Sequence, residues 1–129
     1  LEAVKQKGSA LEYASEELQS DDEIVLTAIM QNGWALEHAA VEMRGIKEVV
    51  MEAVKRHGDA LQSASPGLRG NKQVVLEAVS KDGKALRFAS EELQGDKEVV
   101  LQAVKQSAWA LEYASQELRG DQEVISEAI

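Results

Sequence analysis

The sequence predicts an all-α protein, a right-handed α-solenoid of tandem 25-residue helix-turn-helix repeats. Three observations predict it. Leu26, Met51, Leu76 and Leu101 align in a register that holds without a gap. Small and branched residues recur at fixed places beside them, as Ala28-Ile29, Ala53-Val54, Ala78-Val79 and Ala103-Val104. Single glycines punctuate the copies, against one proline in the whole chain. The array is expected to be one unit over residues 1–129. Complete copies occupy 21–45, 46–70, 71–95 and 96–120, with a partial copy at 1–20 and the opening of another at 121–129.

Each copy begins with a capped helix. In copy 96–120, Asp96 suits the N-cap and Glu98 the first turn, where the helix dipole favours negative charge. Val99, Val100, Ala103 and Val104 form one apolar stripe at helical spacing, and the column of Ala103 and Val104 runs back to Ala3 and Val4. The helix is expected to end at Gly8, Gly33, Gly58 or Gly83 in the left-handed position after the C-cap. Ala108 replaces that glycine in the last full copy, which predicts a strained turn or an extended helix there.

A short second helix follows, turning Ala110, Leu111 and Ala114 inward. Ser65-Pro66 marks its end, because the residue before proline is pushed out of the α region. Ser15, Ser90 and Ser115 share the column of Ser65 and are expected to cap a brief final turn carrying Leu18, Leu93 or Leu118. Ala40-Val41 breaks this pattern, and there the second helix is expected to run on. Gly45, Gly70, Gly95 and Gly120 close the copies.

A unit this small cannot bury its own apolar face, so its neighbours must supply the other side. Leu1 falls in mid-helix and Ile129 inside the next first helix, so the array is expected to be a section of a longer chain or to have its ends covered by a partner.

Composition narrows the function. Apolar residues make up 44% and charged residues 29%, an ordinary globular mixture. A net charge of −9 disfavours nucleic acid, whose binding is driven by Lys and Arg displacing counterions. No stretch approaches the roughly 20 apolar residues that span a bilayer, so no direct membrane insertion is expected. Cysteine is absent, which removes disulfides and thiolate metal sites and leans toward a reducing compartment.

The columns resemble the repeat family known as domain of unknown function 4116. Residues 96–104 and 110–118 follow its pattern, Asp-Lys-Glu-Val-Val-Leu-x-Ala-Val and then Ala-Leu-x-x-Ala-Ser-x-Glu-Leu. Ala40, Ile46, Ala108 and Ser126 depart from it. The resemblance implies an origin among protist, algal or bacterial arrays, often beside other domains, and implies no activity.

No catalytic, cofactor or metal site is expected, and no small-molecule substrate is evident. His38 and His57 lie in different columns and match no metal-ligand spacing. Glu16-Glu17, Asp21-Asp22 and Glu91-Glu92 fall at turns and first-turn positions, where capping and dipole effects account for them. The serines sit beside no His that could act as base.

Recognition is expected in the variable columns. One holds Ser9, Trp34, Asp59, Lys84 and Trp109; another, four residues on, holds Tyr13, His38, Ser63, Phe88 and Tyr113. One helical turn apart on the second helix, the two are expected to share a face, pairing Trp34 with His38 and Trp109 with Tyr113 in an aromatic ridge fit for a protein partner. The alternative is that these rings lie against Lys and Arg stems and cover the core. Charge also varies: copy 21–45 sets five acids against Arg44 alone, a net of −4. In copy 46–70, Lys47, Lys55, Arg56 and Arg69 outweigh Glu48, Glu52 and Asp59, a net of +1. The expected function is a non-catalytic scaffold for protein–protein interaction. The other reading is a segment built permanently into a larger assembly, an algal or organellar one if the resemblance guides.

Overall fold

The computed structural model describes residues 8–129. Ala3 and Val4, with the rest of the leading partial first helix, lie outside the described residues. Every regular element among the described residues is helical.

Five first helices are seen: Asp22–Gln31, Lys47–Arg56, Lys72–Lys81, Lys97–Gln106 and Gln122–Ala128. Their starts follow from the cap residues. Asp21, Asn71, Asp96 and Asp121 each accept from the backbone N–H three residues on, at 3.1–3.2 Å. Ile46 has no side-chain oxygen, and its helix starts uncapped. Val49, Val50, Ala53 and Val54, with their equivalents, form the buried stripe.

The helices do not end on left-handed glycines. No residue among those described has a positive φ. The last turn instead closes on an extended residue, Asn32, His57, Asp82 or Ser107, with φ between −140° and −154°. The glycine that follows is needed for space. A Cβ on Gly33 would lie 2.8 Å from the Ala53 carbonyl oxygen of the next copy. Cβ atoms on Gly58 and Gly83 would collide with the Ala78 and Ala103 oxygens. Ala108 does not extend its helix, which stops at Gln106 like the others, and no φ is reversed there.

The second segment is a 3-10 helix in every copy, at Gly8–Tyr13, Gly33–His38, Gly58–Ser63, Gly83–Phe88 and Ala108–Tyr113. With three residues per turn, positions three apart eclipse. Gly33, Leu36 and Ala39 therefore form one buried row, repeated by Gly58, Leu61, Ala64 and by Gly83, Leu86, Ala89. The small ends allow backbone contact, and the leucine between them fills the interior.

The closing turns are Glu16–Gln19, Met43–Gly45, Pro66–Arg69, Glu91–Gln94 and Gln116–Arg119. Ser15, Ser65, Ser90 and Ser115 cap theirs by accepting from the N–H of Leu18, Leu68, Leu93 and Leu118. Ala40 cannot cap, yet the 3-10 segment before it still ends at His38 rather than running on. Its closing turn tightens to 3-10 form at Met43–Gly45.

The turn is held at Ala40 by a bond all copies share. The N–H of Ala40, Ser65, Ser90 and Ser115 donates to the carbonyl of Gln19, Arg44, Arg69 and Gln94 in the preceding copy, at 2.9–3.0 Å. This backbone link needs no particular side chain, which is why the alanine is tolerated. Like elements of successive copies pack together, first helix on first helix and 3-10 segment on 3-10 segment. The core is the continuous apolar seam between these two rows.

Candidate functional site

The 3-10 geometry redraws the surface read from the sequence. Residues four apart on such a helix are turned about 120° from one another, whereas on an α-helix they lie nearly in line. Trp34 and Trp109 therefore share their exposed row with Glu37 and Glu112, three residues on, and not with His38 and Tyr113. The other copies continue that row as the half-buried Asp59 with Gln62 and as Lys84 with Arg87.

Each aromatic residue has its own surroundings. Trp34 stacks on His57 of the next copy with ring centroids 3.9 Å apart, and its indole N–H donates to Asp59 Oδ1 at 2.5 Å. His38 is half-buried, with Nε2 3.2 Å from Glu37 Oε1 and 3.8 Å from Glu12 Oε2. Phe88 packs partly into the core beneath the Arg87 guanidinium, which lies 4.5 Å above its ring centre. Tyr113 packs partly against the core as well. Tyr13 at 85% exposure and Trp109 at 73% stand out from the surface at separate places along the array. The structure thus brings Trp34 to His57, not to His38, and gathers no continuous aromatic ridge. A shallow groove of about 360 Å³ runs beside Trp34, lined also by Glu37, His38, Asp59 and Gln62.

Two residues missed by the sequence reading face another groove. Arg44 and Arg69 occupy the column that holds Gln19 and Gln94 in other copies. Those amides turn inward, donating to the Leu11 and Leu86 carbonyls at 3.1 and 3.0 Å. Arg44 and Arg69 instead flank a groove of about 260 Å³ between their copies, with Val41 and Pro66 beside them. The exchange of glutamine for arginine in this column, at Arg44, Arg69 and also Arg119, was the available signal.

No group of three or more His, Cys, Asp or Glu side chains that could hold a metal ion occurs among the described residues. No helix there is long and apolar enough to cross a membrane.

No curated protein and no solved structure matches the chain. A family model described as "Domain of unknown function (DUF4116)" matches residues 1–44, 46–94 and 96–129. The breaks between these matches fall at Gly45 and Gly95, where copies close. With three tandem matches spanning nearly its whole length, the chain belongs to the DUF4116 family.

Proposed function

We propose that the stack is a right-handed α-solenoid working as a non-catalytic scaffold that binds a protein partner along its 3-10 face. One observation carries this reading. The uniform columns are consumed in packing copy on copy, while the outward row changes its chemical pair from one copy to the next, with Trp and Glu recurring at its two ends. It runs from Trp34 with Glu37, through Asp59 with Gln62 and Lys84 with Arg87, to Trp109 with Glu112. A rigid series of unlike side chains supports recognition of an equally irregular surface, as concave faces of repeat proteins do. The fold by itself implies no function, so the weight rests on that row.

A second reading is a segment held permanently in a larger assembly, favoured by the exposed Met30, Val41 and Trp109. Affinity capture on the array, followed by titration of each captured protein, separates the two. For the scaffold, Glu37→Ala, Arg87→Ala and Trp109→Ala together weaken binding with the helical circular dichroism unchanged. Unchanged binding overturns the proposed face. An array that is soluble only as a stoichiometric complex supports the permanent assembly, and turnover abolished by changing one carboxylate would make the protein an enzyme.

A further inference from the structure

The groove between copies 21–45 and 46–70 differs from the one before it. One step earlier, the equivalent groove is lined by Glu16, Glu17 and Glu42, with Gln19 in place of an arginine. Val41 lines both grooves, but beside Arg44 and Arg69 it takes the place of Glu16, Gly67 that of Glu42, and Pro66 that of Val41 itself. An acidic ridge is interrupted by a short stretch that is apolar and cationic, on a chain whose net charge is −9.

Neither arginine is satisfied internally. The Nε atoms of Arg44 and Arg69 are both buried and lack a hydrogen-bond partner. Among the described residues neither guanidinium forms an ion pair, although Arg56, Lys72 and Lys97 all do. A buried donor without an acceptor is unfavourable, and guanidinium presents a planar fork that matches a carboxylate. The same position is filled without this cost by glutamine in two other copies, where the amide bonds a carbonyl of its own copy. The arginines are therefore not required for folding.

We infer that this groove binds an extended acidic peptide of a partner protein, Arg44 and Arg69 each taking a Glu or Asp carboxylate while Val41 and Pro66 receive the small apolar residues between. Charge complementarity selects the occupant. The two guanidiniums attract carboxylates, whereas Glu42 and Glu91 on the adjoining turns repel a dianionic phosphate more strongly than a singly charged carboxylate. Val41, 70% exposed, and the Pro66 ring supply apolar surface to an extended chain. Gln62 and Ser63, which also line the groove, offer polar groups to its backbone.

This inference rests on the scaffold reading but shares only Gln62 with its row, and the variants that test each change different residues, so the two can fail separately. The probe is a capped synthetic peptide of alternating Ala and Glu, titrated into the full chain and followed by the Arg Nε–H resonances. Controls are the Ala-Gln counterpart, a phosphoserine version and inorganic phosphate. Arg44→Gln with Arg69→Gln restores the residue native to this column elsewhere, so the fold is retained. The expected result is that Ala-Glu shifts both Nε–H signals, Ala-Gln does not, and the double variant loses roughly tenfold or more in affinity. Absence of Ala-Glu binding, binding that survives in the double variant, or tighter binding of phosphate or the phosphoserine peptide overturns the assignment. A partner captured through the Trp34–Glu37 row that ignores Arg44→Gln/Arg69→Gln also counts against it and leaves the scaffold intact.

Discussion

The indole of Trp34 lies over the imidazole of His57, 3.9 Å between centroids and 14° from parallel, and so joins two consecutive copies through side chains that occur together nowhere else in the array. The columns of these two residues hold Asn32, Asp82 and Ser107 in one and Asp59, Lys84 and Trp109 in the other, so no other pair can stack. The indole N–H also reaches Asp59. A double-mutant cycle of Trp34→Ala and His57→Ala should give a coupling of about 0.5–1.5 kcal/mol beyond the area each ring covers. Urea unfolding followed by circular dichroism measures it. Coupling indistinguishable from zero would mean that the rings do not stack in solution.

The glycines divide into two kinds that a propensity scale would treat alike. Gly33, Gly58 and Gly83 open the 3-10 segments with a backbone oxygen of the next copy where a Cβ would sit. Gly70 and Gly95 close copies at φ −101° and −103°, with nothing nearer than 3.6 and 3.5 Å to an added Cβ. Ser20 already occupies their column. Gly58→Ala and Gly83→Ala should each destabilise by about 2 kcal/mol or more, since the obstruction is backbone and must separate two copies. Gly70→Ala and Gly95→Ala should lie within about 0.5 kcal/mol of the parent. Equal losses in the two groups would show that the interface can yield.

This contrast marks what the sequence could and could not disclose. The repeat, the Asp and Ser caps and the buried valine stripe were legible because each depends on local chemistry within a few residues. The glycine role was not, because the obstructing Ala78 oxygen belongs to a helix twenty residues away, beyond any local pattern. The ridge was misdrawn for another reason. Ala35, Leu36 and Ala39 satisfy an α-helical spacing, but Gly33, Leu36 and Ala39 satisfy a period of three equally well, and only packing against the next copy decides between them. That choice rotates His38 away from Trp34 and puts Glu37 in its place. The exchange of glutamine for arginine at positions 44 and 69 is visible in the sequence, but that the arginine Nε lacks an acceptor is seen only in the fold.

Ile46 is the one N-cap position of the described first helices without an accepting side chain. Its equivalents Asp21, Asn71, Asp96 and Asp121 all accept a backbone N–H. Ile46→Asp should therefore stabilise the chain by about 1 kcal/mol through the N–H of Val49. The preceding copy offers Asp22 rather than a lysine beside it, so no ion pair accompanies the cap and the gain is slightly reduced. Ile46→Ala, which removes the apolar side chain without adding a cap, is the control. If Ile46→Asp unfolds at lower urea than Ile46→Ala, the isoleucine is holding the interface and the cap is secondary.

Charge links the later copies in a ladder whose pH response has a definite sign. Lys72 bridges Asp96 at 3.1 Å and Glu98 at 2.8 Å, and Lys97 bridges Asp121 at 3.2 Å and Glu123 at 2.8 Å. Partial burial pushes the Asp96 carboxyl up, but the Lys72 ammonium and the Val99 N–H outweigh it and hold the group below the usual aspartate range. Asp121 is held down by the Val124 N–H and then by Lys97. Lys72 and Lys97 are raised, chiefly by Glu98 and Glu123 and next by Asp96 and Asp121. A depressed carboxyl stabilises the fold above its unfolded pKa, near 4, and the contribution disappears as pH falls through the lower folded value. A raised ammonium stabilises below its unfolded pKa, near 10.4, and the contribution is lost as pH climbs through the higher folded value. The ladder should thus be fully present across the neutral range and fade at both extremes. Thermal melts from acid to alkaline pH should show a smaller acid-side fall for Lys72→Gln with Lys97→Gln than for the parent. The lysines are exposed and the aspartates only partly buried, so added salt should shrink the difference between the two proteins. Lys47 faces Gln73 in the next copy and serves as the internal control: Lys47→Gln should leave the acid limb of the profile unchanged. An acid limb identical in parent and ladder variant would mean that the lysines do not engage the aspartates in solution, and that the caps alone set the response.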